Sequence, residues 1–237
     1  MPTNIKILAF DTSSDACSVA LRIGKVALTR HVIAKQKQSE LVLNMLNELL
    51  KEADLKLKDL TALAFGQGPG SFTGIRLAAS IAQGLSLGSN LSVIPVSTLQ
   101  ILAQGMYREY QERNVLVAND ARMQEIYFGA YSIDEQNIMQ PLFADLVGKP
   151  DNPPIQNNML KSNWIGIGSA WQAYKDILAQ KYREKKLQLR IHPEERYPNA
   201  LDLVNIAIYK YEKGEKGSRE NILPVYLQND IFLTKPK

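Results

Sequence analysis

The chain predicts an α/β protein of two related lobes, each a mixed sheet flanked by helices. Three features lead there: an antiparallel meander opens the chain, helices and strands then alternate, and the pattern begins again near Val115. A meander feeding into alternating elements builds a sheet of mixed direction with helices packed against it. Ile5 to Phe10 is a continuous apolar run ending at Asp11. Thr12-Ser13-Ser14-Asp15 reads as a reversal, because short polar side chains bond nearby backbone and favour tight turns. Cys17 to Ile23 alternates, Gly24-Lys25 turns, and Val26 to Ile33 completes the meander.

Ser39 to Ala53 has helical spacing, with Leu41, Val42, Met45, Leu46, Leu49, Leu50 and Ala53 on one side. Leu43 lies off that stripe, so the apolar arc is wider than one buried face needs. A strand over Thr61–Phe65, a helix over 72–87, a strand over Ser92–Val96 and a helix over 97–111 follow. The second round has strands at Val115–Ala118, Ile126–Ser132, Ile138–Phe143 and Trp164–Ile167, helices around 170–181 and 199–213, and an extended segment over Pro224–Leu233. A loop rich in proline and asparagine covers 148–158. The boundary between lobes is expected near residue 105, giving 1–105 and 106–237, with a tail that can return to the first lobe.

Between the strand at 61–65 and the helix at 72 lies a loop with three glycines and one proline in five residues. Its backbone N–H groups stand beside a helix N-terminus, where partial positive charge favours an anion. Asp11, Thr12, Ser13, Gly68, Gly70, Ser71 and Thr73 are the candidate phosphate-like site. The loop nevertheless lacks the lysine of a P-loop, and Ser71 stands where a G-x-G-x-x-G pattern needs glycine. No glycine follows Asp11 closely, so a purely structural role fits that carboxylate as well. Asp120 and Arg122, just after a later strand, suit either an ordering ion pair or a substrate contact. Gly74, Ala78 and Ala82 recur every fourth residue, a register that lets another helix approach closely. Packing inside the lobe and a seam with another subunit both account for it. With Ile75, and with Leu41, Met45 and Leu49 of the preceding helix, they form the candidate subunit interface.

Composition excludes more than it assigns. The chain has 237 residues, 45% hydrophobic and 22% charged, ordinary values for a globular protein with ample core. One cysteine, Cys17, excludes an internal disulfide and suits a reducing compartment. No signal peptide is read at the N-terminus and no apolar run approaches the roughly 18 residues of a membrane span, so the expectation is cytoplasmic, with no membrane partner. His31 and His192 are far apart and neither has a partner at ligand spacing, so no metal site is expected. Cys17 in an alternating strand reads as a packed thiol. The net charge is +4, with a basic cluster at Lys181, Arg183, Lys185, Lys186 and Arg190, diluted by Glu184. A solvated helix end explains it, and any nucleic-acid contact is expected to be indirect or weak.

Five segments occur in the order and spacing of one family: Leu8-Ala-Phe-Asp-Thr-Ser-Ser-Asp-Ala-Cys-Ser-Val-Ala-Leu21, Gly66-Gln-Gly-Pro-Gly-Ser-Phe-Thr-Gly-Ile-Arg76, Val96-Ser-Thr-Leu99, Asp120-Ala-Arg-Met123 and Pro224-Val-Tyr-Leu227. The chain resembles the TsaB (YeaZ) family over nearly its whole length. The resemblance implies an actin-like (ASKHA, ribonuclease-H-like) fold. It also implies a non-catalytic subunit of the bacterial machinery that makes threonylcarbamoyladenosine at position 37 of tRNA. The partners implied are the catalytic paralogue TsaD and the small ATPase TsaE, with a homodimer when the chain is alone. No cofactor of its own is implied, ATP or ADP entering only at the interface of the complex. The catalytic relative carries two metal-binding histidines, and the matching positions here are Thr98 and Leu102. Family members often carry a histidine near the start of the first helix, where this chain has Gln38. A small-molecule kinase or ATPase using Asp11 and the glycine loop is the alternative reading. A metalloprotease lacks a suitable histidine motif here, and a stand-alone tRNA-binding module lacks a concentrated basic face.

Overall fold

In the computed structural model, which describes residues 5–220 and 222–227, β1 (Lys6–Asp11), β2 (Ala16–Ile23) and β3 (Val26–Ile33) form the opening meander. Its register sets Asp11 opposite Ser18, and Ser18 opposite His31. α1 (Gln38–Glu52) crosses back and β4 (Ala62–Gly68) lies parallel to β1 on its free side. α2 (Phe72–Ser89) and β5 (Val93–Ser97) repeat that step, so the strand order is β3-β2-β1-β4-β5.

α3 (Thr98–Tyr110) leads into a second sheet. There β6 (Asn114–Arg122), β7 (Glu125–Ile133) and β8 (Met139–Pro141) form a new meander, and β9 (Leu146–Gly148) also pairs with β7. β10 (Asn163–Ile167) is parallel to β6. After α4 (Ala170–Ala173) and α5 (Lys175–Glu184), β11 (Gln188–Ile191) is parallel to β10. The order β11-β10-β6-β7-β8 repeats the first sheet position for position: a meander, then two strands added parallel to its first member. This duplication is the two-lobed ribonuclease-H-like, actin-like arrangement that the resemblance implies.

β1 is apolar along its length because it is paired on both sides and covered on both faces. On one face, Leu8, Phe10, Val19 and Leu63 meet Val42, Met45 and Leu49 of α1 and Ala78 and Ala82 of α2. On the other, Ile7, Ala9, Ala64 and Ile94 meet Leu203, Val204 and Ala207 of α6 (Ala200–Glu212). The last helix thus completes the core of the first sheet. α3 is shared: Ile101 joins that core, whereas Leu99, Leu102 and Met106 pack on Val115, Val117 and Ile165 of the second sheet. Residue 105 lies inside this common helix. Residues 218–220 and 222–227 run back along the first lobe, where Ser218 bridges Val93 and the Val225 N–H donates to the Gln67 carbonyl at 2.8 Å.

Several local expectations are corrected. β9 and β11 are additional strands, three and four residues long, too short for a periodic signal. The helix expected over 170–181 breaks at Tyr174, whose φ of −127° is not helical. Residues 222–227 make no strand, and the rest of the expected extended tail lies outside the described residues.

Candidate functional site

β1 delivers Asp11 to the junction between the lobes, and the Thr12-Ser13 turn folds back over its carboxylate. The Ser13 N–H and Oγ both donate to Asp11 Oδ1, at 3.0 and 2.8 Å. Thr98, the first residue of α3, donates from Oγ1 to Ser13 Oγ at 3.2 Å. All four side chains are buried, and among the described residues Asp11 Oδ2 has no hydrogen-bond partner. Burial pushes the Asp11 carboxyl up to about 6, against the lowering effect of the Ser13 hydrogen bonds and the nearby Thr98 hydroxyl.

The glycine loop closes directly on this turn. A side chain at Gly66 would overlap Asp11 Oδ2, and one at Gly74 would overlap the Thr12 carbonyl oxygen. The Ser71 N–H donates to the Ser13 carbonyl at 2.7 Å, and Thr12 Oγ1 donates to the Gly74 carbonyl at 2.8 Å. Between the Asp11 turn and the loop, backbone therefore packs on backbone with no room for side chains at Gly66 and Gly74. The residues expected to form the cradle are placed as follows. Asp11, Thr12 and Ser13 lie beneath the loop, Gly68 and Gly70 form its wall, and Ser71 and Thr73 face outward from the start of α2. Gly74→Ala is expected to cost about 2 kcal/mol, the usual penalty of forcing a methyl into a filled space. Urea unfolding of the two proteins would measure it.

A second polar group sits on the other side of the β5–α3 corner. Ser97 caps α3 through bonds to its Oγ from the N–H groups of Leu99 and Gln100, at 3.1 and 3.3 Å. The same hydroxyl and that of Tyr131 both donate to Asp145. Burial raises the pKa of Asp145 and, with the Asp145 charge, that of Tyr131. Farther down α3, a cleft of about 200 Å³ is lined by His31, Arg108, Glu109, Arg196 and Asp202 among others. Arg108 bonds Asp202 in a fork, from Nε at 2.7 Å and Nη2 at 2.9 Å, and Glu109 joins Arg108 to Arg196. Burial and these two guanidinium groups lower the pKa of His31.

The other candidates are placed as follows. Cys17 is buried in β2, its thiol pushed up to about 11 by burial and by Asp11. Asp120 accepts the backbone N–H of Arg122 at 3.0 Å, and among the described residues the two side chains form no ion pair. Thr98 and Leu102 are both buried, Leu102 against the second sheet. Among the described residues no three His, Cys, Asp or Glu converge. No helix there is long and apolar enough to cross a membrane.

The expected subunit interface also needs correction. Met45, Leu49, Gly74, Ile75, Ala78 and Ala82 are buried inside the first lobe, and Leu41 is half-buried. The small residues serve close packing of α2 on its own sheet. The outward faces hold different residues: Leu43 of α1, 52% exposed, and on α2 Phe72, Ser80, Gly84, Leu87 and Gly88, with Leu87 89% exposed. Ser80, Gly84 and Gly88 recur every fourth residue, and both glycines face open space. Sequence reading missed this second register, although Leu87 lying off the buried stripe signals it.

A family model described as TsaD, tRNA N6-adenosine threonylcarbamoyltransferase, matches residues 31–233. The tRNA threonylcarbamoyladenosine biosynthesis protein TsaB of Escherichia coli K12 is 37% identical over 231 residues, 98% of each chain. The chain belongs to the TsaB (YeaZ) family. A solved YeaZ structure from Pseudomonas aeruginosa superposes with a TM-score of 0.82 at 35% identity, covering 94% of this chain and all of that one. A similar Pseudomonas aeruginosa structure is described as having similarity to peptidase YEAZ. A tRNA N6-adenosine threonylcarbamoyltransferase of Streptococcus equi is 30% identical over 112 residues, 40% of this chain and 33% of its own length.

Proposed function

We propose that this chain is a non-catalytic scaffold subunit in the synthesis of threonylcarbamoyladenosine at position 37 of tRNA. Its full-length similarity to chains named for that biosynthesis supports the reading. In it, the outward faces of α1 and α2 dock on a TsaD-type catalytic paralogue, and TsaE completes the assembly. Without the paralogue the same faces pair two copies, since an isologous contact closes on itself. ATP or ADP belongs to the assembled interface.

One observation carries the docking surface. α2 has 18 residues and a single charge, Arg76, yet its outer face leaves Leu87 89% exposed and Phe72, over which Arg76 stacks, 58% exposed, and turns two glycines to open space among the described residues. A mid-helix glycine costs about 1 kcal/mol relative to alanine. Among the described residues nothing packs against Gly84 or Gly88, and close approach of another helix would compensate them.

Leu87→Glu and Gly84→Arg are each expected to weaken association at least tenfold, as truncating a central interface residue does. Both new side chains project into open space among the described residues, so thermal unfolding of the isolated chain should show no loss of stability, with Gly84→Arg gaining up to about 1 kcal/mol as the helix glycine is removed. Pull-down with the catalytic paralogue and a tRNA modification assay would measure the effect. Unchanged association in both variants would overturn this docking face.

A further inference from the structure

The fold gathers cations that the sequence scatters. β6, β10 and β11 are neighbouring parallel strands, and their N-terminal ends lie side by side along one edge of the second sheet. Arg113 directly precedes β6. Lys161 and Lys186 each stand two residues before the paired positions Asn163 and Gln188. The Asn114 amide donates to the Asn163 carbonyl at 3.2 Å, which holds the starts of β6 and β10 level. With strands about 4.8 Å apart, three strand starts span about 10 Å. Arg183 and Lys185, at the end of α5, extend the row.

All five side chains are exposed, and among the described residues none of them forms an ion pair. The nearby acids are already engaged: Glu112 with Arg190, and Glu184 with Gln180 and Lys181. Their pairing leaves the surplus at this edge positive. A helix end bearing a basic run is a solvated surface, but Arg113 and Lys161 belong to other elements and are brought here only by strand pairing. The edge is also polar: Gln188 and Asn163 are exposed between the cations.

We propose that this edge binds the phosphate backbone of an RNA. The inference rests on the reading above only for naming tRNA as the RNA; the charge argument stands alone. A row of flexible ammonium and guanidinium groups without aromatic stacking partners suits sequence-independent phosphate contact. In the complex, the second lobe would hold the RNA while the α1 and α2 faces of the first lobe hold the catalytic partner.

The test compares the unaltered full chain with Lys161→Gln/Lys185→Gln/Lys186→Asn, asparagine being chosen because Lys186 has φ +59°. An unmodified tRNA transcript is titrated by fluorescence anisotropy from low to physiological salt. Loss of three phosphate contacts should make the slope of log K against log salt shallower by about 2 and lower affinity on the order of 100-fold at 0.1 M salt. A control removing two exposed first-lobe charges, Lys25→Gln/Lys58→Gln, should bind as the unaltered chain does. No RNA binding by the unaltered chain, equal losses in both variants, or unchanged affinity and slope in the triple variant would each overturn the proposal. The last result overturns it even if the variant loses an acidic protein partner. Pull-down of the catalytic paralogue is run in parallel and should be unaffected by the triple variant. Failure of the unaltered chain in that pull-down would overturn the scaffold reading and not the RNA edge.

Discussion

Arg108→Ala is expected to destabilise the protein by about 3 kcal/mol, toward the lower end of the range for breaking a buried ion pair from one side. Asp202 is only 1% exposed and both of its oxygens are bonded by the Arg108 guanidinium. Removing that guanidinium leaves a buried carboxylate in the first turn of α6, beside the joint where α6 and α3 meet. Burial already raises the Asp202 pKa despite its partner, so the stranded carboxyl will take up a proton more readily. The penalty should therefore shrink as pH falls. Arg108→Ala/Asp202→Asn should recover part of the loss at neutral pH, because an amide replaces the stranded charge. Chemical denaturation of the three variants at neutral and acid pH measures both effects. Equal destabilisation by the single and double variants would show that the packing of the Arg108 stem matters and its charge does not.

Asp11 makes the opposite prediction. Its carboxyl titrates near 3.8 when exposed and is pushed up to about 6 in the fold. The folded state holds the proton more tightly than the unfolded chain does. Stability from this group is therefore fully present below about pH 4 and is lost as pH rises through 6. A shift of about two units corresponds to about 3 kcal/mol. Asp11→Asn keeps an acceptor for the Ser13 N–H and Oγ and removes the charge. Relative to the unaltered chain it should gain about 3 kcal/mol more at pH 7.5 than at pH 4. Urea midpoints at the two pH values would show it, and an identical difference at both would defeat the argument.

The scaffold was readable from periodicity because burial on both faces makes β1 continuously apolar, and the meander and helix spacings are long enough to count. The site was less readable, for reasons that particular residues make plain. Glycine, in the run from Gly66 to Gly74, serves two physical needs: freedom to cradle a phosphate, or room for two backbones to touch. The sequence presents the same letters for both, and only the position of Asp11 and Thr12 decides between them. Gly74, Ala78 and Ala82 posed the same ambiguity, since close packing on a sheet and on a foreign helix both ask for small side chains. The turn at Arg122, Met123 and Gln124, all at positive φ, carries none of the residues that favour that conformation and gave no signal. The basic edge was hidden for a different reason. Arg113, Lys161 and Lys186 are neighbours only through strand pairing, and β11 was itself too short to see.

The return of the last helix to the first sheet has a consequence for synthesis on the ribosome. When residue 110 has just left the exit tunnel, all five strands of the first sheet exist, but Ile7, Ala9, Ala64 and Ile94 still await α6. The nascent chain must carry that oily surface through the whole translation of the second lobe, and pairings so distant in sequence close slowly. Chaperone capture should therefore peak in mid-translation and vanish only as Leu203 to Ala207 emerges.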